Sequence, residues 1–408
     1  MNAFTIVNIT LCSVFALCYV YQFVYMFISY FSKKTAPDTD TRHNIAVLIC
    51  ARNEEVVISR LLDSLNAQDY PHGNFRVFVA ADNCTDKTAD VARAHGATVF
   101  ERFDKEKVGK GYALGYLIEN IRGSEGESAF DAYLVFDADN VVYPNFLTEI
   151  NKTLALGYDV VTSYRAPLNY ADNWLTAGHG LCFLRDMVLL NRARMSIGSS
   201  SFISGTGYAF TNRLIDSFGG VWPFTTLTED CEFTVYSTVN GIKMGYSDSA
   251  RFLDEQPVKF RQSWNQRLRW CKGGIQVFLK YIKKLVSGLF SRKFLACLDI
   301  TMCMAPAYII SVGITVFNTV GTVIALALGI DPVTTLITIC LALGGVYLAF
   351  LVFGISLTVT EWRQLGGSAP KKILYTFTFP IFMLSFLPIT CAALLKRKIV
   401  WQPTERKA

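Results

Sequence analysis

Residues 133–140 read Tyr133-Leu134-Val135-Phe136-Asp137-Ala138-Asp139-Asn140. Four apolar or aromatic residues run into two carboxylates one residue apart, the pattern of a buried strand whose last residues emerge at its carboxyl end. Ligands of open α/β sheets bind at that end. If the backbone stays extended, Asp137 and Asp139 point the same way and offer hard oxygens to a divalent cation. Mg2+ and Mn2+ suit such a pair, because both accept one or two carboxylates and keep positions for phosphate oxygens. An Asp-rich turn after a strand explains the same letters, so the pair alone decides nothing.

The 408-residue chain is 51% hydrophobic with mean hydropathy +0.30, which points to a membrane protein. Charge placement sets its organisation. Residues 1–32 carry no charged side chain, the middle holds most of the charges, and three further uncharged runs cover 300–330, 332–360 and 373–395. Each is long enough to cross a bilayer core, which takes about 20 apolar residues. The first run is too long for a signal-peptide core and lacks a basic start, so it reads as a retained anchor. Lys33, Lys34 and Arg42 follow it, and Arg261, Arg267, Arg269, Lys272, Lys280, Lys283, Lys284, Arg292 and Lys293 precede the second run. Basic residues near span ends stay cytoplasmic, which places the middle of the chain in the cytosol of a multi-pass cell-membrane protein. Six of the eleven cysteines lie in or beside the spans, without metal-ligand spacing, so neither a disulfide framework nor a zinc site is expected. A net charge of +6 suits a face on anionic lipid, and no nucleic-acid partner is read into it.

The middle repeats strand-then-helix units, the start of an α/β sheet. Ile45 to Cys50 reads as a strand, and Asn53 as the cap of a helix with Ile58, Leu61, Leu62 and Leu65 on one face. Phe75 to Ala80 is a second strand, followed by Asp82 and a helix through Ala89, Val91 and Ala92. Glu54 and Asp82 thus fall on one rim, as caps or as ligands. Lys110 between Gly109 and Gly111 fits either a phosphate-approaching loop or a plain helix entry. After the Asp137 strand come a helix from Pro144 and a strand from Asp159 to Tyr164.

Trp174 to Arg194 reads as amphipathic, and Ser204 to Phe210 as a glycine-broken strand. Thr228-Glu229-Asp230 is an acidic helix start, with Thr228 as N-cap or Asp230 as a general base for a hydroxyl. Ser263-Trp264-Asn265-Gln266-Arg267-Leu268-Arg269-Trp270 lies just before the membrane, where an interfacial anchor is the plain reading. From Cys271 to Lys293 basic and apolar residues alternate, as in amphipathic helices on a lipid surface.

Asp82, the Asp137/Asp139 pair, Thr228-Glu229-Asp230 and Gln266-x-x-Arg269-Trp270, in that order in one α/β domain, resemble the membrane-embedded inverting glycosyltransferases of family 2, the group of cellulose, chitin, hyaluronan and poly-N-acetylglucosamine synthases. The resemblance implies a GT-A (Rossmann-like) α/β domain over 44–270 between an N-terminal transmembrane anchor (1–32) and a C-terminal transmembrane bundle of about three helices (300–395), with interface helices over 271–293 and a basic tail over 396–408. It implies a UDP-sugar donor, UDP-glucose or UDP-N-acetylglucosamine first, and Mg2+ or Mn2+ held by Asp139 with Asp137. Glu54, Asp82, Lys110, Asp137, Gln266 and Arg269 fall at the donor, Asp230 is the base, and Glu229 and Trp270 lie on the acceptor side. Trp401, Thr404 and Arg406 loosely match the family's gating loop.

Cation and Arg beside a diphosphate leaving group offset the charge that develops on it. One base without a carboxylate nucleophile implies direct displacement with inversion, unlike glycosidase pairs. The expected activity is a processive synthase of a β-linked polysaccharide, coupled to export and open to oligomers or accessory export subunits. Transfer of one sugar to a lipid-linked or membrane-proximal acceptor is the alternative, and a non-catalytic transporter or receptor a distant third. Two prolines, Pro380 and Pro388, leave open a broken or re-entrant last span.

Overall fold

The computed structural model describes residues 3–33, 35–327 and 332–396. Its strands are β1 (Ile45–Ala51), β2 (Phe75–Asp82), β3 (Thr98–Arg102), β4 (Ala132–Asp137), β5 (Asn140–Val142), β6 (Val160–Pro167), β7 (Tyr208–Thr211) and β8 (Met244–Asp254). They form one sheet in the order β3-β2-β1-β4-β7-β6-β8-β5. The half from β3 to β4 is parallel, and β7 and β5 run against their neighbours.

Continuous apolar runs formed the central strands because helices cover both faces. In β1, Ile45, Val47 and Ile49 pack under α2 (Ile58–Asn66) and α5 (Phe146–Ala155), while Ala46 and Leu48 face α4 (Lys110–Glu125) and the aromatic cluster of Phe210, Trp222, Phe224 and Phe233. The remaining domain helices are α3 (Thr88–Ala94), α6 (Trp174–Leu184), α7 (Arg192–Ser196), α8 (Asn212–Ser217), α9 (Glu229–Asn240) and α10 (Phe260–Gly288). Around them run α1 (Ala3–Phe31), α11 (Phe294–Ala305), α12 (Ser311–Ala327), α13 (Pro332–Thr360), α14 (Ala369–Leu384) and α15 (Phe386–Leu395). Four helical stretches among the described residues are long and apolar enough to cross a membrane: Ile6–Phe31, Phe294–Ile324, Ile339–Thr360 and Ala369–Leu395. This is a GT-A-like α/β domain with one such helix before it and the others after it.

Several local expectations are corrected. Asn53 does not cap α2, which begins five residues later; its φ is +57°, and its Oδ1 accepts from the Thr85 N–H at 2.8 Å, tying the loops after β1 and β2 together. Asp137 ends β4 and Asp139 lies in the turn before β5, so the two do not share an extended backbone. Trp174 to Arg194 is not amphipathic. It is buried almost all round, between the sheet and the α13–α14 pair, and passes through a π-helical turn at Arg185–Asn191 between α6 and α7. Residues 204–207 form a loop before β7.

Residues 271–288 are not separate from the Gln266-to-Trp270 motif, because both belong to α10. Glycines let α10 press inward: a Cβ on Gly273 would fall 2.4 Å from Thr228 Oγ1, and one on Gly274 1.9 Å from Tyr308 Oη. The run from residue 300 belongs to a helix starting at Phe294, so this candidate span does hold a charge, Asp299. Arg194 donates to both carboxylate oxygens of Asp299, at 2.7 and 2.9 Å, in a buried pair. The last run is broken at Ser385, between α14 and α15. All eleven cysteines are free. Trp401, Thr404 and Arg406 lie outside the described residues.

Candidate active site

The site lies at the carboxyl ends of β1, β2 and β4, closed by the start of α9 and by α10. One cavity of about 1760 Å³ is lined by Glu54, Asp82, Lys110, Asp137, Asp139, Glu229, Asp230, Gln266, Arg269 and Trp270. Chain segments more than 200 residues apart in sequence therefore face one space.

Each of these side chains has a local reason for its position. Asp82 ends β2 and is buried against Arg102 of the neighbouring β3, whose Nη1 donates to it at 2.7 Å. Lys110 opens α4, preceded by Gly109 at φ +147°, a backbone that disfavours side chains. Its ammonium donates to Asp137 and, at 2.7 Å, to the Gly205 carbonyl. Burial works against that ammonium, but the carboxylates of Asp137 and Glu229 outweigh it and its pKa lies above the ordinary value. The Asp137 N–H donates to Thr206 Oγ1 at 2.9 Å, and Asn140 Nδ2 donates to Asp139 at 3.3 Å and to Asp254 at 3.0 Å.

Glu229 and Asp230 form the first turn of α9, where the helix dipole favours anions. Thr228 precedes them without a side-chain capping bond. Burial, then the neighbouring Asp230 charge, pushes the Glu229 carboxyl up to about 7. Asp230 is raised as well, chiefly by burial, against the Cys231 N–H and the charges of Arg269 and Lys110. From α10, Arg269 donates to the Leu227 carbonyl at 2.9 Å and so holds the loop leading into α9. Trp270 meets His179 and Phe183 of α6 edge-on, at 5.6 and 5.7 Å between ring centroids. Burial depresses the His179 imidazole, which is therefore neutral, with Nε2 2.8 Å from Ser263 Oγ. Gln266 Oε1, Thr226 Oγ1 and Thr228 Oγ1 are buried without hydrogen-bond partners, although native interiors rarely leave such atoms unpaired. All three residues line the cavity, where a polar ligand would satisfy them.

Sequence reasoning gave no role to Arg102, Thr206, Arg165, His179 or Phe183. Asn140 was visible beside the carboxylates, but the others pair with residues far away in sequence and carry no motif.

A divalent cation fits the donor set. Asp137 and Asp139 both line the cavity and would supply two hard oxygens, and no group of three His, Cys, Asp or Glu side chains among the described residues forms a closed cage. A two-carboxylate site of this kind suits Mg2+ or Mn2+, whose other positions go to water and phosphate oxygens.

Residues 43–273 match the family model described as "Glycosyltransferase like family 2". The chain belongs to this family. Among curated relatives, the beta-monoglucosyldiacylglycerol synthase of Nostoc sp. is 26% identical over 276 residues, 65% of this chain and 56% of the relative. That of Synechocystis sp. is 27% identical over 243 residues, 58% of this chain and 49% of the relative. The chain thus spans about half the length of the curated relatives it matches. They are glycolipid synthases by name, not the polysaccharide synthases with which the motifs are shared. Among solved structures, the mannosyltransferase PcManGT from Pyrobaculum calidifontis, in complex with GDP-Man and Mn2+, superposes with a TM-score of 0.65. It is 17% identical, over 97% of this chain and all of that one, a likeness of fold.

Proposed function

We propose that this family 2 glycosyltransferase moves one hexose, with inversion, from a nucleoside-diphosphate sugar to a membrane lipid. UDP-glucose is the first donor to test, because the curated relatives are named for glucosyl transfer to diacylglycerol. The supporting observation is the cavity itself, which continues from Asp230 and Trp270 to the apolar helices α1, α12 and α13. In this reading the catalytic domain covers 44–270, faces the cytoplasm of a cell-membrane protein, and sits on the lipid surface through α10.

The residues divide the work. Glu54 and Asp82 contact the nucleoside, while Lys110, Gln266 and Arg269 face the diphosphate. Asp137 and Asp139 would hold Mg2+ or Mn2+, which supplies positive charge to the leaving diphosphate. Asp230 accepts the proton of the acceptor hydroxyl as that oxygen attacks the anomeric carbon from the face opposite the diphosphate, so an α-linked donor gives a β-linked product. Glu229, whose carboxyl burial and the neighbouring Asp230 charge push up, hydrogen-bonds the acceptor rather than taking its proton. Trp270 offers an aromatic face to the acceptor beside Glu229.

The complete Gln266-x-x-Arg269-Trp270 motif favours a second reading, processive synthesis of a β-linked polysaccharide. The test supplies purified protein with UDP-glucose, UDP-N-acetylglucosamine or GDP-mannose, a divalent metal, and vesicles with or without diacylglycerol. Metal-dependent nucleotide release that requires the lipid is expected. Release that requires only a soluble sugar acceptor would replace the lipid reading with the second one.

A further inference from the structure

The catalytic cavity has a part that the chemistry above does not use. Its lining takes in Trp270, then the π-helical turn with Arg165 and Arg194 beside it, which we call the neck, and then residues of α1, α12 and α13. Those three helices meet at Asn8–Asn318, hydrogen-bonded at 2.6 and 2.9 Å, and at Phe23–Phe353, 4.6 Å between ring centroids. The lining contributed by α1, α12 and α13 carries no charged side chain among the described residues. A Cβ added at Gly345 of α13 meets nothing within 4 Å, so the space beside it is open.

The neck carries three arginines, and each has its own carboxylate: Arg165 with Asp254, Arg185 with Asp186, Arg194 with Asp299. A phosphate brought to this neck would lose its water without meeting an uncommitted guanidinium. An uncharged alcohol would lose far less.

Building on the lipid-acceptor reading, we propose that the hollow between α1, α12 and α13 is the acyl-chain site of the acceptor, and that the neutralised neck selects a lipid with an uncharged hydroxyl head over a lipid phosphate. An amphiphile of that kind matches both ends of one cavity: chains among membrane helices, hydroxyl at Asp230.

The test uses full-length protein in phosphatidylcholine vesicles with labelled UDP-glucose. Gly345→Trp should raise KM for long-chain diacylglycerol by about tenfold or more, because the indole displaces several buried methylenes. Transfer to a short-chain, water-soluble diacylglycerol should be unchanged and serves as the folding control, with Gly345→Ala behaving as wild type. Asp186→Asn releases Arg185, so phosphatidic acid should become a competitive inhibitor of the variant while leaving the wild type unaffected. Unchanged KM in Gly345→Trp, or inhibition of the wild type by phosphatidic acid equal to that of Asp186→Asn, overturns the proposal. Wild-type protein that glycosylates no lipid refutes the underlying reading instead, a separate outcome.

A different observation carries a second inference. The α14–α15 segment touches the catalytic domain at its start, middle and end: Lys371 donates to the Ala171 carbonyl at 2.9 Å, Phe382 lies 4.8 Å from the His179 ring, and Lys272 donates to the Lys396 carbonyl at 2.7 Å. Fully buried Arg267 fixes the break by donating to Ser385 Oγ and the Phe382 carbonyl. A helix that crosses a hydrocarbon core of about 30 Å leaves one side behind, whereas this one, although it also packs on α13, stays in contact with α6 and with the Arg- and Lys-bearing part of α10 from its first turn to its last. We infer that α14–α15 is a broken helix lying in the interface, so that Lys396 emerges on the side of the catalytic domain. Protease protection in oriented vesicles, with one epitope after Ala408 and one in the exposed turn at Gly126, reads this directly. Both epitopes cleaved from the same side is expected; cleavage from opposite sides overturns it.

Discussion

The Lys110 ammonium is ion-paired with the Asp137 carboxylate, across the mouth between the start of α4 and the end of β4. Asp137 is thus held by a cation in a site whose proposed task is to hold another cation against a diphosphate. In the proposed reading Lys110 has two effects: it neutralises a half-buried carboxylate before donor binding, and it keeps a positive charge beside the phosphates afterwards. Lys110→Met should raise the donor KM by about tenfold at saturating metal. Initial rates over a donor titration measure this, and metal removal by EDTA should abolish turnover in both proteins.

Asp230→Asn keeps the shape of the first turn of α9 and removes the proposed proton acceptor. Turnover should fall by about 10²–10⁴-fold, the range for losing a general base. Donor affinity, followed by isothermal titration, should remain within about twofold. Full activity in this variant would move the base elsewhere.

The raised pKa of Glu229 makes stability depend on pH. Its carboxyl titrates near 7 in the folded protein against an ordinary 4.5. Between those values the folded state holds a proton that the unfolded chain has released. The stability that Glu229 contributes is therefore full below about pH 4.5 and is lost as pH rises towards 7. Glu229→Gln should flatten that fall, measured as Tm against pH in detergent.

The Arg194–Asp299 pair links the catalytic domain to a candidate membrane helix, and the Tyr25 hydroxyl of α1 donates to the same carboxylate at 3.3 Å. Removing one partner strands the other charge. Arg194→Met should cost about 3–5 kcal/mol. The double variant Arg194→Met/Asp299→Leu should recover most of that loss, as chemical denaturation in detergent would show. Equal losses in single and double variants would mean that packing, not charge, sets the cost.

The contrast between that pair and the strands explains what could be read from the sequence. Strands β1, β2 and β4 are legible because helices bury both faces, leaving apolar runs, broken only by Arg76 near the start of β2, that end in Asp82 and Asp137 for β2 and β4. The acidic start of α9 and the Gln266-to-Trp270 motif were legible because their residues are close in sequence. Arg102, Arg165 and His179 were not: their partners are strand and helix neighbours that only the fold supplies. Asp299 broke an otherwise uncharged run and so set a false span start, because its partner Arg194 is 105 residues earlier. Helix α10 reads as two pieces in the sequence because its charge pattern changes after Trp270 while its backbone continues.

The most direct measurement is the mass of the product formed from labelled UDP-glucose, a divalent metal and diacylglycerol vesicles. A single β-linked hexose on the lipid, with no longer species as donor is increased, is the expected result. A ladder or long polymer free of lipid would contradict single transfer to a membrane lipid.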